Sequence, residues 1–177
     1  MRMKVLMTFA LGVCFLAFMP MATAVDACDL PEGLQHKIAV TYSGAKLVKL
    51  SDLSDDDRGF FQKDHGDDCP GLVKADFYGD GKPTLALVLI AKSGEKKKAK
   101  LVLAHEVGGN WETRIVDTAD GAPAPVVWSQ PPGEYRDVYG KKEIRATRPV
   151  IVFTGYESWS ILYAWTGSKV TKIWLRD

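Results

Sequence analysis

The sequence predicts an α+β fold, mainly an antiparallel β-sheet meander with one or two short N-terminal helices. Apolar residues recur at helical spacing only in the stretch that precedes Cys69. After Cys69, short runs of β-branched and aromatic residues are separated by turn residues, a pattern that indicates strands. The chain has 177 residues, a length that suits one domain with a sizeable core.

Residues 1–24 have the layout of a secretory signal peptide. Arg2 and Lys4 form a basic start, an apolar stretch follows from Val5 to Met19, and Ala22-Thr23-Ala24 offers small residues for cleavage. The apolar stretch of about 15 residues is shorter than the roughly 20 that a membrane-spanning helix needs. We therefore expect residues 25–177 to form a single exported domain, periplasmic or secreted, with no transmembrane segment after cleavage.

Removal of the leader leaves a nearly neutral chain. The sequence has 23 basic and 22 acidic residues, and the loss of Arg2 and Lys4 changes this to 21 against 22. A chain without a strong overall field needs a local basic patch to attract nucleic acid, and none of the required size occurs. We therefore expect no nucleic-acid partner.

Two cysteines remain after cleavage, because Cys14 lies in the leader. Cys28 and Cys69 form a pair that predicts a disulfide in an oxidising compartment. Closing a loop of about 40 residues would stabilise the fold by roughly 4 kcal/mol on the chain-entropy model. The alternative is a lipoprotein acylated at Cys28, although the charged Asp26 fits that pattern poorly.

The first predicted helix runs from Pro31 to Tyr42. Leu34, Ile38 and Tyr42 recur every four residues behind a Pro-Glu start, which favours a short amphipathic helix. A short strand is predicted over Lys46–Leu50.

The second predicted helix begins after Ser54, whose hydroxyl can cap it, and runs to about Asp64. Three aspartates in the first turn suit the helix dipole. We expect Phe60 and Phe61 to turn inward and Gly66 to end the helix.

Seven strands are predicted after Cys69: Leu72–Phe77, Thr84–Ala91, Lys100–Glu106, Trp111–Asp117, Pro149–Thr154, Trp159–Trp165 and Lys169–Leu175. Turn residues separate most of them, so neighbours in sequence are expected to be neighbours in the sheet. The lysines at 96–98 are interpreted as a solvated hairpin tip rather than an anion site.

The segment from Ala119 to Thr147 is predicted to be a long loop that contains several prolines and aromatic residues. Long loops inside compact domains are uncommon unless they are functional or mobile. Tyr135, Arg136 and Tyr139 are therefore the predicted exposed binding contacts.

Residues 76–87 read D-F-Y-G-D-G-K-P-T-L-A-L. This stretch resembles the D-F-N-G-D-G-x-x-D signature of FG-GAP and VCBS repeats, the blades of integrin-type β-propellers, in which the loop binds calcium. The resemblance implies Asp76 and Asp80 as ligands and calcium as the one candidate cofactor, because calcium is held by several hard oxygens. Tyr78 and Thr84 replace family ligand positions, and a single copy implies a β-turn-β element and not a propeller. The alternative is a structural loop in which the aspartates accept backbone N–H bonds.

The order C-P-G, D-F-x-G-D-G and a tryptophan-rich final hairpin also resembles that of exported bacterial proteins that have no assigned activity. This resemblance does not indicate which activity the protein has.

Enzyme signatures are missing from the sequence. His105-Glu106 opens like the zinc-protease motif H-E-x-x-H, but Gly109 stands where the second ligand is needed. His36, His65 and His105 are interpreted as surface or packing residues.

Tryptophan and tyrosine are concentrated in the C-terminal third. Trp159, Ile161, Tyr163 and Trp165 fall on one face of a predicted strand because side chains alternate. We interpret that face as core, and a binding platform is the alternative.

The predicted function is a non-enzymatic exported domain that binds a protein or glycan in the periplasm or cell envelope. A calcium-stabilised structural module is one alternative. An envelope hydrolase is another, and it would use Asp76, Asp80 or Glu106 with a histidine.

Overall fold

The computed structural model describes residues 27–93, 96–120, 124–156 and 158–177. The predicted signal peptide and the tip of the lysine-bearing turn at 94–95 lie outside these ranges. Two helices, one 3-10 turn and eleven strands follow in the order α1 Glu32–Thr41, β1 Lys46–Leu47, a 3-10 turn Leu50–Asp52, α2 Asp55–His65, β2 Leu72–Ala75, β3 Thr84–Ser93, β4 Lys96–Val107, β5 Asn110–Asp120, β6 Val126–Gln130, β7 Gly133–Arg136, β8 Glu143–Ala146, β9 Val150–Gly155, β10 Trp159–Trp165 and β11 Val170–Arg176. The predicted class, α+β with a β-rich antiparallel meander and two short helices, is confirmed.

The strands form two main sheets. In the first sheet β3, β4 and β5 are consecutive antiparallel neighbours, and both β1 and β2 pair with the other edge of β3. The second sheet has the order β11-β10-β9-β6. A separate hairpin, β7–β8, lies between β6 and β9 in sequence.

The main core lies between the two sheets. Ala86, Val88 and Ile90 of β3 face it, and Phe153 and Tyr163 enter it from the second sheet. The alternate β3 residues face outward and are covered by three residues of the first helical segment, Leu34, Ile38 and Tyr42. The β7–β8 hairpin covers the outer face of the second sheet in the same way. The molecule therefore has four layers: α1, first sheet, second sheet and hairpin.

The C-P-G turn joins the two sheets. The N–H of Val88 in β3 donates to the Gly71 carbonyl at 2.8 Å, and the N–H of Val127 in β6 donates to the Pro70 carbonyl at 2.8 Å. Cys69 forms the predicted disulfide with Cys28, with the two Cα atoms 5.0 Å apart. The bridge ties the residues just before α1 to the point where the sheets meet.

Both helices agree with the sequence prediction in position. In α2 the Ser54 hydroxyl accepts from the Asp57 N–H at 3.1 Å, and Gly66 ends the helix. Phe61 is buried, but Phe60 is 44% exposed and packs on Tyr156, so the prediction that both turn inward is wrong. Adjacent residues of an α-helix are about 100° apart around the axis, and the two rings cannot share one face.

Three predictions about the strands are corrected. The strand expected over Lys46–Leu50 is limited to Lys46–Leu47 and gives way to the 3-10 turn. The segment Ala119–Thr147 is not one long loop, because it contains the end of β5 and all of β6, β7 and β8. Sequence neighbours are not always sheet neighbours, since β6 pairs with β9 across the inserted hairpin. Strands of four or five residues are too short to show a clear alternation, so they were not recognised.

Candidate functional site

The loop between β2 and β3 carries the two predicted calcium ligands. Asp76 Oδ2 accepts from the Gly81 N–H at 3.3 Å, and Asp80 Oδ1 accepts from the Lys82 N–H at 3.1 Å. Asp76 Oδ1 is buried without a hydrogen-bond partner, whereas the second oxygen of Asp80 contacts His105. These bonds agree with the alternative interpretation of the sequence, a structural loop in which the aspartates accept backbone N–H bonds.

The same residues have few carboxylate oxygens without a hydrogen-bond partner. Calcium collects six to eight oxygens, and Asp76 offers the one carboxylate oxygen of this loop that has no partner. Among the residues that the structure describes, no group of three histidine, cysteine or acidic side chains is placed to hold a metal. Calcium binding stays a prediction, and calorimetric titration with calcium tests it.

His105 lies between Asp80 and Thr84. Its Nε2 is 3.1 Å from Asp80 Oδ2, and its Nδ1 is 3.4 Å from Thr84 Oγ1. The order acid, imidazole, hydroxyl is that of hydrolase triads, but Thr84 is fully buried and its hydroxyl cannot reach a substrate. The bond from the Lys82 N–H is the largest effect on the pKa of Asp80 and lowers it, desolvation opposes this, and His105 lowers the pKa further. We interpret this network as a brace that holds the loop on β4.

The other two histidines are surface and packing residues, as predicted. His65 stacks between Phe61 and Trp128, with ring centroids 4.8 and 4.9 Å apart. His36 is exposed on α1.

The predicted binding residues are not on one surface. Tyr135 and Arg136 lie on β7 and not on a loop, so their side chains point to opposite faces. Tyr135 packs on the outer core and donates to the Pro131 carbonyl, while Arg136 is exposed and paired with Glu143 at 2.9 Å. Tyr139, in the β7–β8 turn, is 53% exposed.

A cleft lies between β5 and the β10–β11 hairpin, and we call it the aromatic cleft. Its volume is about 350 Å³, and Trp159 and Trp174 line it together with Asp120, Lys172 and Asp177. Both indole side chains are half-buried and pack against the main core. The face predicted as core is therefore core, and the edge of Trp159 also contributes to a cleft.

The β7–β8 turn contacts two residues that line the aromatic cleft. The Val138 N–H donates to the Trp174 carbonyl at 2.7 Å, and the Tyr139 hydroxyl donates to Asp177 Oδ2. Tyr139 is thus the one residue of the three predicted contacts that adjoins this cleft.

A β-bulge in β5 shapes the cleft. Ile115 pairs with Val102 and Asp117 pairs with Leu101, so Val116 is an extra residue in the strand. Val116 and Ala119 consequently both pack against the main core, although residues three apart on an unbroken strand would face opposite sides. The bulge turns Asp117 toward the second sheet.

Asp117 forms the floor of the cleft. Its Oδ2 accepts from the Tyr163 hydroxyl at 2.5 Å and from Lys172 Nζ at 2.7 Å, and its Oδ1 accepts from the Thr118 N–H at 2.8 Å. These bonds connect β5 to β10 and β11, so they close the edge of the sandwich that lies away from the C-P-G turn.

The floor has a defined charge state. Burial, followed by the bond to Asp117, raises the pKa of Tyr163 far above its ordinary value. Desolvation alone would raise the pKa of Asp117, but hydrogen bonds from Lys172 and Tyr163 outweigh it and leave that pKa lowered. Both shifts favour an ionised Asp117 carboxylate that accepts from a neutral Tyr163 phenol.

Sequence reasoning missed this network. The sequence signal for it consists of two polar residues, because Tyr163 and Lys172 occupy inward positions of two predicted strands. A buried polar group requires a partner, so these positions indicate a polar contact. The bulge that brings Asp117 to them has no signature in the sequence.

No protein-family model, curated protein or solved structure matches this chain. The geometry shows an open cleft between the edges of two sheets, lined by aromatic and charged side chains. In the described residues, no helix is long and apolar enough to cross a bilayer.

Proposed function

We propose that this chain is an exported binding domain of the periplasm or cell envelope and that the aromatic cleft binds a glycan. The observation that carries the proposal is the placement of two half-exposed indoles beside carboxylates in one open cleft. Sugar rings present apolar C–H faces that stack on aromatic side chains, and their hydroxyls need hydrogen-bond acceptors beside that stack.

The size and polarity of the cleft support a sugar. A volume of about 350 Å³ lies within the range of small-molecule sites, which combine apolar walls with a few placed polar groups. Asp120 and Asp177 provide exposed acceptors at the rim, and Thr118 provides a hydroxyl. The floor carboxylate of Asp117 is already satisfied by its three donors, so it orders the walls without competing for the ligand.

Export is supported by two features. The leader-like sequence at 1–24 is typical of secreted chains. The Cys28–Cys69 disulfide is of a kind that persists in oxidising compartments and is rare in the cytosol.

Our first prediction concerns Trp174. We expect neutral oligosaccharides to bind the wild-type protein and Trp174→Ala to weaken binding about tenfold or more, because one stacking face is lost, and a tenfold change corresponds to about 1.4 kcal/mol. Isothermal titration calorimetry with dimers and hexamers from cellulose, chitin, starch and xylan measures it.

Trp128→Ala is the matched control. Trp128 is another half-buried indole of the second sheet, but it lies on β6 at the opposite edge and stacks on His65. Circular dichroism verifies that both variants are folded. Equal losses in the two variants, or no binding of any oligosaccharide to wild type, would contradict a glycan site at the cleft.

A further inference from the structure

Two further cavities lie along β5 beyond the aromatic cleft. A small cavity of about 110 Å³ lies beside Val116 and Tyr163, and a larger one of about 450 Å³ lies beside Tyr78 and His105. Lys172 lines both the aromatic cleft and the small cavity. Arg114 lines both the small cavity and the larger one. Each cavity thus has one lining residue in common with the next, and we call this row of three cavities along β5 the β5 groove.

The β5 groove is long compared with a single sugar. Its β5 wall extends from Glu112 to Asp120. Eight residue steps of a strand span about 26 Å. A monosaccharide in the aromatic cleft would leave most of that length empty.

The far end of the groove has the same kinds of groups as the aromatic cleft. Tyr78 stands edge-on to both His105 and Trp165, with ring centroids 5.1 Å apart in each case. The tyrosine is held in place because Arg148 donates to its carbonyl. Aromatic rings and polar side chains therefore recur at both ends of the groove.

Two charged side chains at the far end are available to a ligand. Glu112 and Arg114 are exposed. In the pairing of β5 with β4 they lie opposite His105 and Leu103, on the face of the sheet that is turned toward the main core. Within the described part of the chain, neither forms an ion pair. A guanidinium group can donate to hydroxyl or carbonyl oxygens, and a carboxylate can accept from hydroxyls.

We propose that the β5 groove binds a linear, uncharged glycan chain along its length, with the Tyr78 and Arg114 end acting as a second subsite. This inference rests on the proposed function of the aromatic cleft. The second subsite adds contacts that only a longer chain can reach, so affinity should increase with chain length.

The charge pattern favours an uncharged chain. Carboxylates stand at both ends of the groove, Asp80 and Glu112 at one end and Asp120 and Asp177 at the other. Arg114 shares the first of these ends with Glu112, and Lys172, which lies between the two ends, is already paired with Asp117. A polyanion would meet like charges at each end, which disfavours it.

The strand geometry favours a glycan over an added polypeptide strand. Strand addition needs a continuous row of backbone groups along an edge, and the bulge at Val116 interrupts that row in β5. The groove is instead walled by side chains, which suits a ligand recognised by stacking and hydroxyl contacts.

The experiment compares chain lengths in four proteins: wild type, Arg114→Ala, Trp174→Ala and the control Arg58→Ala, which removes an arginine of α2 that pairs with Asp55 and lines none of the three cavities. Calorimetry measures the affinity for the dimer and hexamer of whichever neutral oligosaccharide series binds. We expect the wild-type protein to bind the hexamer at least tenfold more tightly than the dimer. Arg114→Ala should lose most of that gain and keep the dimer affinity, whereas Trp174→Ala should weaken both.

The outcomes separate the two proposals. Equal affinity of wild type for dimer and hexamer, or an unchanged gain in Arg114→Ala, overturns the β5 groove while the cleft site stands. Displacement of the bound hexamer by a mixed pool of tryptic peptides overturns it in favour of a polypeptide ligand. Absence of binding in every series overturns both proposals.

Discussion

Asp117 connects its own strand to a hairpin that lies far along the chain, because its partners Tyr163 and Lys172 are 46 and 55 positions away. Its carboxylate binds Tyr163 of β10 and Lys172 of β11 while its own strand, β5, belongs to the other sheet. Hydrogen bonds to a charged group contribute about 1.5–3 kcal/mol, more than those between neutral groups. The Asp117 side chain thus joins the two sheets at one edge of the sandwich, as backbone hydrogen bonds of the C-P-G turn join them at the other.

Removal of this carboxylate has a predictable cost. We expect Asp117→Ala to lower the free energy of unfolding by about 1–3 kcal/mol, because the buried Tyr163 hydroxyl loses its acceptor. Urea denaturation measures it. Asp120→Ala on the same strand is the control, since Asp120 is exposed and its nearest cation, Lys98, is 3.9 Å away. A similar loss in both variants would contradict a specific role for Asp117.

The lowered pKa of Asp117 also predicts a pH dependence. A carboxylate with a lower pKa in the folded state contributes stability above its ordinary value of 3.8, and this contribution is lost as the pH falls through the folded value. Wild-type stability should therefore fall below about pH 4 more steeply than that of Asp117→Asn. Urea unfolding between pH 7 and pH 2 provides the curves, and parallel curves would show that Asp117 is not the titrating group.

The residue scale is where sequence reasoning succeeded least. The Cys28–Cys69 pair could be predicted because these are the two cysteines outside the leader-like stretch, and an even pair is the usual pattern of a disulfide. Tyr135 and Arg136, which are predicted to be on a loop, lie on the strand β7, and their role in binding stays a prediction. Only Tyr139 adjoins the cleft, through its bond to Asp177.

Among the elements, the C-P-G turn is the most constrained. A Cβ on Gly71 would lie 2.4 Å from the Val48 carbonyl oxygen and 2.8 Å from the Val48 nitrogen. Both neighbours are backbone atoms of the segment that follows β1, so they cannot rotate away. The close approach explains why a glycine stands at this position.

We therefore expect Gly71→Ala to destabilise the fold by about 1–3 kcal/mol, the usual range for forced crowding. Gly59→Ala is its matched control, because Gly59 lies inside α2 with no atom within 4 Å of the added Cβ. An alanine in a helix interior gains about 0.5–1 kcal/mol over glycine, so the control should be more stable than wild type. Thermal unfolding of the two variants tests the expected loss of stability in Gly71→Ala and the expected gain in Gly59→Ala. Unchanged stability of Gly71→Ala would contradict the crowding against Val48.

Strand alternation made part of the architecture predictable. The β3–β4–β5 meander and the β10–β11 hairpin have long runs and clear turns, and the structure contains them. The short strands β6, β7 and β8 pair through contacts that no local pattern shows, and β6 finds its partner beyond an inserted hairpin. The bulge at Val116 depends on packing between the sheets, so the aromatic cleft could not be predicted from β5 alone.

At the scale of the whole molecule, the disulfide links the residues just before α1 to the turn where the two sheets meet. Cys28 and Cys69 are 41 positions apart, and a closed loop of that size restricts the unfolded chain. On the chain-entropy model the bridge contributes about 4 kcal/mol.

The double variant Cys28→Ser/Cys69→Ser should accordingly be about 4 kcal/mol less stable than wild type in urea denaturation. Dithiothreitol should destabilise wild type by a similar amount and leave the double variant unchanged. An equal response of the two proteins to the reductant would contradict this role of the bridge.

The four-layer arrangement has a further consequence for a newly made chain. The helix α1 has only ten residues, and isolated helices below about 12–15 residues are marginal in water, so it depends on its anchorage. If the thiols stay reduced, we expect α1 to detach first and uncover the apolar strip Leu85, Leu87 and Leu89. Such a chain would expose an apolar surface of the type that chaperones bind. Formation of the disulfide would cover that surface again and so release the chain from the chaperone.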